Sequence, residues 1–113
     1  MTGRHDTIVV KIGTSSITDG EGVIDRASVG RLCDGVAALR ISGRRVVVVT
    51  SGAIAAGLPE LGMGGALRPK DAVTLQAVSA VGQGGLIRTY REELGRHDLI
   101  AGQVLLAPLD FFV

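Results

Sequence analysis

Cysteine occurs once in the 113-residue chain, as Cys33. One thiol makes no internal disulfide and gives a zinc or iron–sulfur site no second sulfur, and it fits a reducing compartment. Long apolar runs are missing too. Nothing approaches the ~18 residues of a membrane helix, and Met1-Thr2-Gly3-Arg4-His5-Asp6 lacks the apolar centre of a secretion signal. A soluble, cytoplasmic protein without a membrane partner is expected. Charge of one sign is also lacking. Twelve basic and eleven acidic residues leave a net charge of +1 with no long run of either sign, which argues against a nucleic-acid partner. Two nucleotide signatures are absent as well. No glycine-lysine pair is followed by serine or threonine, so there is no Walker loop. Gly62-Met63-Gly64 and Gly82-Gln83-Gly84 begin the dinucleotide pattern, but Leu67 and Ile87 stand where its last glycine belongs, and neither stretch follows a strand. Hydride transfer loses its support.

Glycine is abundant instead, at 17 residues, about twice its usual share of roughly 7%, beside 46% hydrophobic residues. That composition describes one globular core with many tight turns, and the length leaves no room for a second. Thr7-Ile8-Val9-Val10-Lys11-Ile12 reads as a strand that runs into Gly13-Thr14-Ser15-Ser16, with Gly13 able to turn the backbone sharply. Val29, Leu32, Cys33, Val36 and Leu39 recur at helical spacing between an Asp25 cap and a Ser42-Gly43 stop. The valine run Arg45-Val46-Val47-Val48-Val49-Thr50 reads as a strand buried on both faces of a parallel sheet. Strand, helix and strand make a crossover unit. A short small-residue helix follows Ser51-Gly52 and ends near Leu61-Gly62, and Gly62-Met63-Gly64-Gly65 reads as a mobile link. Pro69 opens a helix whose apolar positions are Val73, Ala77, Val78, Val81, Leu86, Ile87, Tyr90 and Leu94. Its interior Gly82, Gly84 and Gly85 imply a kink, a break or a close approach of another backbone. Residues 99–106 read as a third strand, with Ala107-Pro108-Leu109-Asp110 as its exit. Phe111-Phe112-Val113 has no polar cap behind it, so the chain reads as the N-terminal part of a larger α/β domain.

Lysine is scarce, two against ten arginines, and Lys11 lies in an apolar strand just before the glycine turn. Its stem either packs while the head reaches water, or the ammonium is buried and meets an anion such as a ligand phosphate. The glycine turn with three hydroxyl residues is a candidate phosphate cradle, with an ordinary strand-exit turn as the alternative. Thr50-Ser51-Gly52-Ala53 repeats the arrangement after the second strand, so both loops are expected on the C-terminal edge of the sheet, where open α/β sheets bind ligands. Ser51 lacks a nucleophile elbow, because Val49 takes the place of its first glycine, and no histidine is placed to serve as a base. It reads as a binding hydroxyl. His5 and His97 read as solvated surface, and Cys33 as a small core residue.

Val9-Val10-Lys11-Ile12-Gly13-Thr14-Ser15, the stretch from Val49 to Gly57, Ala80-Val81-Gly82-Gln83 and Gly102-Gln103-Val104-Leu105-Leu106 together resemble the amino acid kinase family. The resemblance is to the N-terminal part of its glutamate-phosphorylating branch and covers the chain from Thr7 onward. It implies an α/β fold, a parallel-sheet three-layer sandwich incomplete in this chain, with residues 1–113 as the N-terminal part of the domain. The implied reaction is ATP-dependent phosphorylation of the L-glutamate side-chain carboxylate to glutamyl 5-phosphate, the first step toward proline. Lys11 would contact the transferring phosphoryl group, and Lys11, Gly13, Thr14 and Ser15 would bind the ATP phosphates. Ser51, Gly52 and Ala53 would hold glutamate. The implied partners are L-glutamate and ATP with Mg2+, the ion having no protein ligand in this segment, and the full-length protein would be a homo-oligomer. Downstream acidic groups and the adenine-binding lobe of complete members are not in these residues, so the segment alone is expected to be inactive. Alternatives are an acetylglutamate or uridylate kinase and a non-catalytic module that binds an anion or amino acid.

Overall fold

The computed structural model describes residues 6–105. Strand β1 (Thr7–Ile12) pairs in parallel with β2 (Arg45–Thr50), with Lys11 beside Val49 and Ile12 beside Thr50. The helix α1 (Arg26–Ile41) makes the connection between them, with Asp25 at the N-cap position that its sequence predicts but without a side-chain hydrogen bond to the first-turn N–H groups. The Asp25 carboxylate accepts from the Ser28 hydroxyl at 2.7 Å. After β2 come α2 (Ala53–Glu60), a 3-10 turn at Gly65–Leu67 where the sequence reads as a link, and α3 (Ala72–Gly95).

Burial alternates along β1 and along β2 as far as Val49, which decides what the sheet can cover. Val46 and Val48 point with Ile12 to the core side. There they pack against Val29, Cys33 and Val36 of α1, Leu86, Tyr90 and Leu94 of α3, and the loop residue Ile17. The opposite face is bare among the described residues: Val9 is 63% exposed, Val47 48% and Val49 45%. The expectation of a valine strand buried on both faces is therefore corrected. Alternation sends every second valine to the other side, and no described element lies there.

The α3 helix is continuous through its glycines, without the break that the sequence left open. Its buried positions are Val78, Gly82, Leu86, Tyr90 and Leu94, a single row at spacing four. Such a row forms an inclined ridge. Val73 and Val81, expected to face inward, lie off the ridge and are exposed, as is Ala77. The helix also starts later than Pro69 implies. Asp71 caps it, its carboxylate accepting from the Thr74 N–H at 2.9 Å, which satisfies one of the first-turn donors. Gly82 explains itself by the approach of α2. A methyl group there would overlap the Ala53 carbonyl and the Gly57 N–H, and one on Gly57 would overlap the Val78 carbonyl. The two helices meet backbone to backbone.

Residues 99–105 form no strand, which corrects that part of the 99–106 reading. The Leu99 N–H donates to the Leu94 carbonyl at 3.1 Å, so the start of the segment finishes α3, and Leu99 and Ala101 pack on the core. A cavity of about 560 Å3 lies where this segment and β2 come closest, walled by Val46, Val48 and Leu99 among others. Without edge pairing, alternation alone does not make a strand. Leu106, the 107–110 exit, the apolar terminus and His5 lie outside the described residues. No helix among the described residues is long and apolar enough to cross a membrane.

Candidate functional site

Both strand-exit loops leave the same edge of the sheet, because β1 and β2 are parallel and in register to their last residues. After β1 the chain tightens into a 3-10 turn, Thr14–Ser16. Gly13 itself is extended, at φ −78° and ψ 156°, so the sharp turn expected of it is made by the residues after it. Its place is open, with no atom within 4 Å of where a Cβ would stand. After β2, Gly52 takes φ +118°, a left-handed conformation that disfavours side chains, and an added Cβ would stand 3.1 Å from the Ile17 Cδ1. Gly52 is the cap of α2, and its carbonyl accepts from the Ala56 N–H at 2.9 Å.

A side-chain hydrogen bond ties the loops: Thr14 Oγ1 and Ser51 Oγ are 2.8 Å apart. Behind them, Thr50 Oγ1 and the Tyr90 hydroxyl, also 2.8 Å apart, pin the end of β2 to α3. Burial pushes the Tyr90 phenol up, while the Thr50 hydrogen bond acts the other way, so this ring is a neutral anchor.

A cleft of about 540 Å3 opens beside the linked hydroxyls. One wall is Thr14, Thr50 and Ser51. Another is Gly52, Ala53, Ile54 and Ala55, the N-terminal turn of α2, whose first N–H groups have no partner within the helix. A helix N-terminus carries partial positive charge, so this wall favours an anion. Arg68, Ser79 and Gln83 complete the enclosure.

Of the residues singled out in the sequence, the structure brings Thr14, Ser51, Gly52 and Ala53 into this cleft. Lys11, Gly13 and Ser15 are not in its walls. Lys11 stands at the same strand edge, next to Val49, but its side chain is on the bare sheet face and exposed. The reading of a buried ammonium is thereby corrected: alternation along β1 puts Ile12, not Lys11, on the covered side. Among the described residues it meets no carboxylate.

A profile described as the amino acid kinase family matches residues 6–112. The chain belongs to the amino acid kinase family. It is 47% identical over 103 residues to glutamate 5-kinase of Pelobacter propionicus, 50% over 103 residues to glutamate 5-kinase of Salinispora arenicola, and 49% over 104 residues to glutamate 5-kinase of Ralstonia pickettii. Each match covers 91% of this chain and 27% of the relative. The chain thus spans about a quarter of the length of these curated relatives.

For this amino acid kinase segment, Arg68, Ser79 and Gln83 are among the cleft residues to which sequence reasoning gave no role. Ser79 and Gln83 sit four apart on α3, polar positions in an otherwise apolar stretch, and that spacing is a signal of a shared face. Arg68 gave no signal, because nothing local places the loop between α2 and α3 against the strand ends. The other candidates fall away from the site. Cys33 is buried at 1% exposure and its thiol is pushed up to about 11, chiefly by burial, which leaves it unreactive. His97 is not merely solvated: its Nε2 lies 2.7 Å from the Asp34 carboxylate, remote in sequence, where α3 ends against α1.

Proposed function

We propose that this chain forms the N-terminal part of an amino acid kinase domain, and that the complete domain uses ATP to phosphorylate the side-chain carboxylate of L-glutamate. The product is glutamyl 5-phosphate, the first step toward proline. A carboxylate oxygen attacks the γ-phosphorus, the bond from phosphorus to the bridging oxygen breaks, and its electron pair leaves with ADP. No proton has to move, so alignment and neutralisation of phosphoryl charge dominate the acceleration.

The observation that carries this reading is the Thr14–Ser51 hydrogen bond. It couples a loop suited to phosphates with a loop suited to a carboxylate at one sheet edge. Gly13 fits a phosphate neighbour, since its conformation needs no glycine and its missing side chain leaves room for close approach. We assign Gly13, Thr14 and Ser15 to the ATP phosphates and Ser51, Gly52 and Ala53 to glutamate. Lys11 is assigned to the transferring phosphoryl group, because its cation stands at the same edge and meets no carboxylate among the described residues. ATP bound with Mg2+ supplies the phosphoryl group and part of its charge neutralisation; we assign the ion no ligand in this segment. The bare Val9, Val47 and Val49 face is where the third layer of a sandwich would pack, supplied by chain beyond these residues. A cytoplasmic homo-oligomer completes the proposal.

Lys11→Met in the full-length protein tests it. Turnover is expected to fall by about 10²-fold or more, while glutamate affinity measured calorimetrically stays within about threefold. Loss of affinity with no wild-type turnover would instead make the site a binding module.

A further inference from the structure

Among the described residues the cleft has one ionisable side chain in its walls, Arg68, and no carboxylate. Two arginines elsewhere on the chain are neutralised within the fold. Arg26 is paired with Glu92 and Glu93, and Arg96 with Glu93 and Asp34. Arg68 has no such partner among the described residues, yet its backbone is held firmly. Its N–H donates to the Gly65 carbonyl at 3.1 Å, closing the 3-10 turn. Pro69 follows, which restricts the preceding residue to extended backbone, and Arg68 is found there, at φ −60° and ψ 123°. A solvated cation on a constrained backbone, beside a cleft whose described walls hold no acid group, is free to meet an anionic ligand. The α2 N-terminus is a second positive element, on a different wall. One monoanion satisfies one of the two. A ligand with two carboxylates satisfies both.

Resting on the glutamate reading, we infer that Arg68 is a specificity residue. It pairs with the α-carboxylate of the amino acid, while the Ser51 loop and the α2 N-terminus face the carboxylate that accepts phosphate. The planar guanidinium matches a carboxylate with two parallel hydrogen bonds, a geometry that lysine does not reproduce.

The test compares wild type, Arg68→Ala and Arg68→Lys in the full-length protein. The substrates are L-glutamate and 4-aminobutanoate, which keeps the accepting carboxylate and lacks the α-carboxylate. For Arg68→Ala, KM for glutamate should rise about 10- to 100-fold with kcat within about threefold, as loss of uniform binding requires. The KM for ATP should be unchanged, and so should the weak reaction with 4-aminobutanoate. Arg68→Lys should recover part of the loss. Arg68 is exposed in a loop, so the variants should unfold at the wild-type temperature. An equal loss with both substrates, or an unchanged glutamate KM, overturns the role of Arg68 and leaves the kinase reading intact. Wild-type protein that turns over neither substrate and shows no calorimetric heat with glutamate overturns both.

Discussion

Gly13 and Gly52 occupy matching places, one after each strand, and physical chemistry separates them. Gly52 is held at φ +118° against Ile17, so Gly52→Ala should destabilise the fold by on the order of 1–3 kcal/mol, read from the denaturant midpoint. Gly13 is extended in open space, so Gly13→Ala should leave stability within about 0.5 kcal/mol. Its effect should fall on ATP: a raised KM for nucleotide in the full-length protein, with the melting temperature unchanged. Equal stability losses in the two variants would show that Gly13 serves the turn and not a ligand. The sequence drew attention to both glycines but could not tell them apart, because a dihedral angle and an empty volume are properties of the folded loop.

At the scale of elements, the close approach of α2 and α3 is the contact most sensitive to a single methyl group. Gly82→Ala places that group against the Ala53 carbonyl and should cost roughly 1–3 kcal/mol or more, because backbone has to shift. Gly84 lies two residues further along α3 in open space, so Gly84→Ala should stabilise by about 1 kcal/mol through helix propensity alone. Opposite signs from two neighbouring glycines, measured by urea titration, check the packing. The polar seam between α1 and α3 makes a different prediction. Hydrogen bonds from Arg26 and then Arg96 hold the Glu93 carboxyl below its ordinary 4.5, and His97 and then Arg96 hold Asp34 below 3.8. A carboxyl lowered in the folded state adds stability that is complete above its unfolded value and disappears as pH falls through the folded one. Thermal stability should therefore drop as pH falls below about 4.5, and Glu93→Gln should make that drop shallower. Asp34 and Arg96 are exposed while Glu93 is mostly covered, so high salt should weaken the Asp34 part more than the Glu93 part.

For the whole molecule, the one-sided sheet is the decisive feature. Val9, Val47 and Val49 stand on a face that no described element covers, Ile100 is 98% exposed outside the sheet, and the relatives are nearly four times longer than the match. The purified 113-residue chain should release no glutamate-dependent ADP and should bind a hydrophobic dye that the full-length protein excludes; detectable turnover by the short chain would show that it holds a complete site. By itself the sequence determined β1, α1, β2 and α2 almost to the residue, and it determined that two small polar loops leave parallel strands together. Those features follow from neighbours along the chain: alternation, helical spacing, a capping aspartate, a glycine after a strand. It also carried the family, through motifs at both strand exits. Only the tertiary structure decided which face of the valine strand is covered, why Gly82 sits inside a helix, that residues 99–105 stay unpaired, and that Arg68 stands in the cleft with Ser51. Each of those is settled by what arrives from a distant part of the chain, and no local pattern encodes the identity of that neighbour.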